Sequence, residues 1–151
     1  MNDNDTDPLR ELLYRACVRF LTVRPAGFEL GPKEPLRKSI KTRILGYGGA
    51  RSHYLNRKPH CRSLDGIHPL KEPERNCVDC KVRGKCTPQV RVDLLVDGRP
   101  FRMLLSYTSA RSFLLYEADL RRRGISLDSI THTVSVTNRG SWGELRFGCH
   151  N

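Results

Sequence analysis

A mainly β fold carrying one internal helix is predicted by three features of this 151-residue chain. Short segments in which apolar and polar residues alternate recur from residue 39 to the end, the signature of half-buried strands. A single segment of helical period interrupts them after Ser106. Four cysteines share one polar stretch that lacks the apolar residues for a core of its own.

Taken in order, the chain begins with an acidic tail. Residues 1–9 hold three acids and no base. Pro8 to about Val23 reads as an amphipathic helix. Asp7 suits its cap and Pro8 its first position. Leu9, Leu12, Leu13, Ala16, Cys17, Phe20 and Leu21 form its apolar stripe. A linker rich in Pro and Gly follows to Leu36. Residues 1–36 are thus read as an N-terminal helix and linker ahead of an OB-like domain at 37–151, the helix packing its stripe on the body with a basic side to solvent.

Within the body, Ser39 to Tyr47 reads as a strand with Ile40, Thr42 and Ile44 on one face. Gly46, Gly48 and Gly49 permit close backbone approach. Val90 to Val96 and Pro100 to Ser106 read as two arms of a hairpin, joined by Asp97-Gly98, a pair suited to positive φ. Val92, Leu94, Val96, Phe101, Met103 and Leu105 are its expected core residues. Thr108 or Ser109 should cap a helix to Arg123, ended by Gly124, with Phe113, Leu114, Ala118 and Leu120 inward. Arg121, Arg122 and Arg123 suit the negative end of its dipole. Ile130 to Asn138 and Gly143 to Phe147 complete the set. Five strands with a helix between the third and fourth is the element order of an OB-fold barrel.

Between the first two strands, at about 59–88, lies the cysteine stretch. Cys61 is followed after fifteen residues by Cys77-x2-Cys80, and after five more by Cys86. Four thiolates satisfy tetrahedral zinc and leave no open position, so one structural Zn2+ is expected, with His60 the reserve ligand. The N-terminus shows no secretory signal and no apolar run spans a bilayer, which predicts a cytoplasmic protein with reduced thiols.

The formal net charge is +11, and residues 10–62 carry 13 bases against three acids. Arg outnumbers Lys, which favours phosphate recognition and base stacking. Candidate phosphate contacts are Lys41, Arg43, Arg51, Arg57, Lys58, Arg91, Arg102 and Arg146. Tyr47, Tyr54 and Trp142 are candidate stacking platforms; Tyr47 and Trp142 suit the barrel core equally. No Gly-rich phosphate loop or nucleophile–base arrangement argues for an enzyme. Asp65, Glu72, Glu74 and Asp79 read as solvation of the loop rather than a metal-nuclease cluster.

The motifs Ile44-Leu45-Gly46-Tyr47, then Arg51, then Pro59-His60-Cys61-Arg62-Ser63-Leu64-Asp65-Gly66-Ile67-His68-Pro69, then Cys77-Val78-Asp79-Cys80 and Cys86 resemble a known family. Thr108-Ser109, Phe113, Tyr116, Leu120 and Gly124 extend the resemblance over most of 40–125. The family comprises small zinc-containing proteins of bacteriophages and mobile elements, regarded as single-stranded DNA-binding. The resemblance implies four thiolate ligands and a single-strand role in replication or recombination. Lys81 to Lys85, short and basic without an aromatic, departs from the pattern, as does the N-terminal amphipathic segment. Two alternatives stay open: a regulatory module docking on a replication or transcription enzyme through that segment or the cysteine loop, and an RNA- or ribosome-binding protein. Neither a membrane nor a small-molecule substrate is expected.

Overall fold

The computed structural model describes residues 18–72 and 74–150, and these form a mainly β structure. Nine strands are described: β1 (Arg19–Phe20), β2 (Thr22–Arg24), β3 (Gly27–Glu29), β4 (Ser39–Leu55), β5 (Lys58–Ser63), β6 (Thr87–Val96), β7 (Arg99–Leu105), β8 (Thr131–Asn138) and β9 (Gly143–Cys149). One α-helix, α1 (Tyr107–Arg122), lies between β7 and β8. No described helix is long and apolar enough to cross a membrane.

The spine is β4. Its first part pairs with β8, from Ser39 opposite Ser135 to Arg43 opposite Thr131. Its later part pairs with β5. On the other side it pairs with β6 from Arg43 to Ser52. Further hairpin ladders join β6 to β7 and β8 to β9. The sheet order is β1-β7-β6-β4-β8-β9, with β5 also on β4. Among the described residues no ladder joins β7 to β9, so the expected closed barrel is corrected to an open mixed sheet.

The physical reason lies in the N-terminal segment. The sequence reading placed a helix over Pro8 to Val23. Residues 8–17 fall outside the described set, but Arg19–Phe20 and Thr22–Arg24 are strands. β1 runs parallel to β7, with Arg19 opposite Phe101 and Phe20 opposite Arg102, and Leu21 N–H donates to the Arg102 carbonyl at 2.8 Å. Phe20, Thr22 and Val23 are aromatic or β-branched, so they favour an extended backbone when a sheet edge is offered. Leu21, Phe28 and Leu30 are buried with the core. The described part of this segment packs on the body, as strands rather than as the expected helix.

β6 to β9 and α1 follow the pattern, whereas β4 runs past the expected Tyr47 to Leu55 and β5 begins the expected cysteine loop. The inward residues of β6 and β7, Val92, Leu94, Val96, Phe101, Met103 and Leu105, are all buried. The Asp97-Gly98 turn has φ of 50° and 73°, as its sequence requires. Helix α1 starts two or three residues earlier than expected, after Ser106. Gly124 N–H donates to the Arg121 carbonyl and Ile125 N–H to Leu120, a Schellman ending. Phe113 and Leu120 are buried, but Leu114 and Ala118 are exposed. The helix covers the sheet with one narrow stripe only.

A bulge between Ile44 and Gly46 resets the alternation of β4. Ile40 and Ile44 face the core before it; Tyr47 does so after it. Tyr47 meets Phe113 edge-on at 5.1 Å, and Phe113 meets Phe147 at 5.2 Å. These rings are the seam between helix and sheet.

Candidate nucleic-acid interface

The chain between β5 and β6 forms a flap whose start, at Leu64 and Gly66, lies against Arg91 of β6 and Gly49 of β4. Arg91 Nη1 donates to the Leu64 carbonyl at 2.6 Å. Gly48 leaves room for this guanidinium: a Cβ there would lie 3.1 Å from Arg91 Nη2. The flap ends are pinned by Leu70 N–H to Arg62 carbonyl at 2.8 Å and Cys77 N–H to Ile67 carbonyl at 2.6 Å. The Arg62 guanidinium lies over the Phe20 ring at 5.1 Å, tying the flap to β1.

Asp65 organises the flap turn. Its carboxylate accepts from Ser63 Oγ, the N–H groups of Ile67 and His68, and lies 2.7 Å from His68 Nδ1. Burial alone would raise this carboxyl. The hydrogen bonds from His68, Ile67 and Ser63 outweigh it and hold the carboxyl far below the usual range.

The expected zinc site is corrected. Among the described residues no group of three or more His, Cys, Asp or Glu side chains is placed to hold a metal ion. Cys61, Cys77, Cys80 and Cys86 are free thiols. They share a neighbourhood: burial first, then the nearby thiols, push the Cys61 and Cys86 thiols up. Cys86 Sγ donates to the Val82 carbonyl at 3.7 Å. Sequence spacing brought the cysteines near one another without making a ligand set. His60, the reserve ligand, joins no such group either.

The other candidate residues fall into three groups. Tyr47 lies in the core seam. Arg91 and Arg102 are nearly buried and share Asp93, at 3.3 Å and 3.2 Å. These three are removed from an open surface: Tyr47 packs on Phe113, and both guanidiniums are held on Asp93. Arg121, Arg122 and Arg123 likewise pair with Glu117 or Asp119.

Lys41, Arg43 and Arg146 form a second group. They are exposed on β4 and β9, with the hydroxyl residues Thr131, Thr133 and Ser135 of β8 between them in register. Trp142 lies elsewhere, half-exposed beside a cavity of about 540 Å³ between the N-terminal segment and the starts of α1 and β9.

The third group is a lobe formed by the β4–β5 hairpin and the flap. Arg51, Tyr54, Arg57 and Lys58 belong to the hairpin, and Arg57 and Lys58 are exposed. The Tyr54 ring is 39% exposed, and Gln89 Nε2 donates to its hydroxyl at 3.2 Å. Gln89 is itself hydrogen-bonded to Ser52 Oγ. That network fixes the hydroxyl end of a partly exposed side chain. The flap adds Lys71, Lys81, Arg83 and Lys85, which the sequence reading did not place at the site. Residues 51–86 hold nine bases and four acids. Two of those acids, Asp65 and Glu72, are taken by His68 and Arg75.

Hairpin and flap meet around a cavity of about 340 Å³ lined by His53, His60 and Cys61 from the hairpin and by Pro69, Asn76 and Val82 among others from the flap. His53 and His60 are 6.0 Å apart and nearly perpendicular. A run of cations at Lys81 to Lys85 is the sequence signal for the added residues. Only the fold-back of the flap assigns it to the hairpin.

A scan against protein-family models finds no match, and comparisons with curated proteins and with solved structures find none either.

Proposed function

We propose that this protein binds nucleic acid, with single-stranded DNA as its ligand, through the lobe of hairpin and flap. The carrying observation is that Arg51, Arg57, Lys58, Lys71, Lys81, Arg83 and Lys85 have no carboxylate partner among the described residues, on the hairpin that carries Tyr54 and His60 and on the flap beside it. Cations without partners are free to replace the counterions of a phosphate backbone. Flat rings give each base a stacking surface without reading its sequence. Tyr54 and His60 supply those rings here. Lys41 and Arg43 on β4 and Arg146 on β9 form a separate basic strip outside this lobe.

The connectivity supports an OB-like reading of the architecture. β4 lies between β6 and β8, and α1 stands between β7 and β8, as the first strand and the helix do in that design. On this reading the barrel is opened where β1 takes the edge of β7. On the strands that OB-folds commonly use for their ligand, Arg91 and Arg102 are engaged by Asp93 and Arg91 also by the Leu64 carbonyl. The ligand site is accordingly displaced to the hairpin and the flap's outer side. A role in replication or recombination of a mobile element is the setting this reading implies.

An anisotropy titration with single-stranded DNA, duplex DNA and RNA at several salt concentrations tests it. Tightest binding to the DNA single strand, with affinity falling steeply as salt rises, is expected. Equal affinity for duplex, or no dependence on salt, overturns the proposal.

A further inference from the structure

We infer that the cavity between the β4–β5 hairpin and the flap takes one unstacked nucleobase of the bound strand. The inference rests on the single-strand reading and deepens it by giving one base a defined seat.

Its size fits a small flat group. At about 340 Å³ it sits near the lower end of small-molecule sites, which run from about 300 to 1,000 Å³. Its walls are suited to a ring rather than to a phosphate. His53 is buried, and His60 stands edge-on to it at 6.0 Å and 87°. Two perpendicular rings give an entering base one face to stack on and one edge to abut. Pro69 and Val82 add apolar surface.

Polar groups at the wall can read a base edge. Asn76 Oδ1 is engaged by the Val78 N–H at 2.8 Å. Its side-chain NH2 has no partner among the described residues and is available to a base carbonyl or ring nitrogen. Lys71 has no carboxylate partner and stands at the same wall. Glu72, the one carboxylate there, is neutralised by Arg75 Nη1 at 2.7 Å. An anionic phosphate would find a single unpaired ammonium inside, whereas Arg57, Lys58 and Lys81 lie on the hairpin turn and flap outside. The chemistry thus separates: backbone on the lobe's exterior, one base within. A single strand yields a base readily, because no partner strand has to be unpaired.

The test uses the full chain and two fluorescent strands of about 15 nucleotides, one with natural bases and one with abasic sugars throughout. The wild-type protein should bind the abasic strand about tenfold more weakly. His60→Ala, at an exposed position, should narrow that difference by weakening the natural strand alone. A strand carrying 2-aminopurine should change its fluorescence on binding wild type and not on binding the variant. Equal wild-type affinity for both strands overturns the base seat while leaving backbone binding intact. Equal weakening of both strands by His60→Ala does the same. Binding of neither strand at low salt sinks the single-strand reading itself.

Discussion

Arg91 and Leu64 are joined by a 2.6 Å hydrogen bond from guanidinium to carbonyl, and that contact fastens the flap to the sheet. The Arg91 side chain is 8% exposed, as is that of Asp93, its carboxylate partner. A cation that sequence alternation assigned to an open face is therefore part of the protein's internal support.

Arg91→Ala should destabilise the protein by about 3 kcal/mol, since it leaves a buried carboxylate with one partner fewer and a carbonyl without its donor. Urea unfolding measures this. A loss under 1 kcal/mol would show that the pair contributes little and that the flap is held by other contacts.

The phosphate-binding reading predicts different behaviour at the lobe. Lys58→Ala with Arg83→Ala should weaken single-strand binding without a measurable loss of stability. Each phosphate contact contributes about 0.7 to the slope of log K against log salt, so the pair should lower that slope by about 1.4. Lys41→Ala with Arg43→Ala, at the other end of β4, should leave the slope unchanged. The reverse pattern would move the interface to the β4–β8–β9 face.

Acid should loosen the molecule in two windows. Burial lowers the pKa of His132 despite the Leu127 carbonyl that accepts from its ring. The unfolded chain then binds a proton more readily than the folded one, so stability falls as pH drops below about 6.5 toward the lowered value. Asp65 is also depressed on folding. Its contribution is complete above about 4 and is lost as pH falls further. Unfolding midpoints followed from pH 8 to 3 should show both losses. His132→Gln should flatten the first, and Asp65→Asn the second.

Gly143→Ala tests the N-terminal segment. A Cβ at this position would lie 2.6 Å from Val136 Cγ1 and 2.8 Å from the Arg24 carbonyl. The segment must withdraw from β9 to admit it, at about 1–3 kcal/mol. Faster amide exchange at Leu21, whose N–H pairs with Arg102, should accompany the loss. Unchanged protection there would mean that the seam tolerates the methyl by local movement.

Much of the scaffold was legible in the chain. Strict alternation in 90–96 and 100–105 around Asp97-Gly98 reported a hairpin with one buried face. The helical period and Gly124 reported α1. These signals are local, set by side-chain period and by backbone conformations that few residues adopt. Tyr47 was ambiguous because the bulge at Ile44–Gly46 shifts the alternation by one residue, and nothing in the residue types announces it. The cysteine spacing invited a ligand set, but spacing fixes proximity along the chain and not the convergence of lone pairs.

Residue order and type alone determined β6 to β9 and the start of β4, the Asp97-Gly98 turn, α1 and the cationic excess, since each depends on neighbours within a few positions. Tertiary structure alone decided that β1 takes the edge of β7, that Arg91 and Arg102 are spent on Asp93, and that Lys81 to Lys85 join the hairpin. Those outcomes rest on which distant surfaces meet, and burial turns a residue from a contact for solvent into a contact for the protein itself.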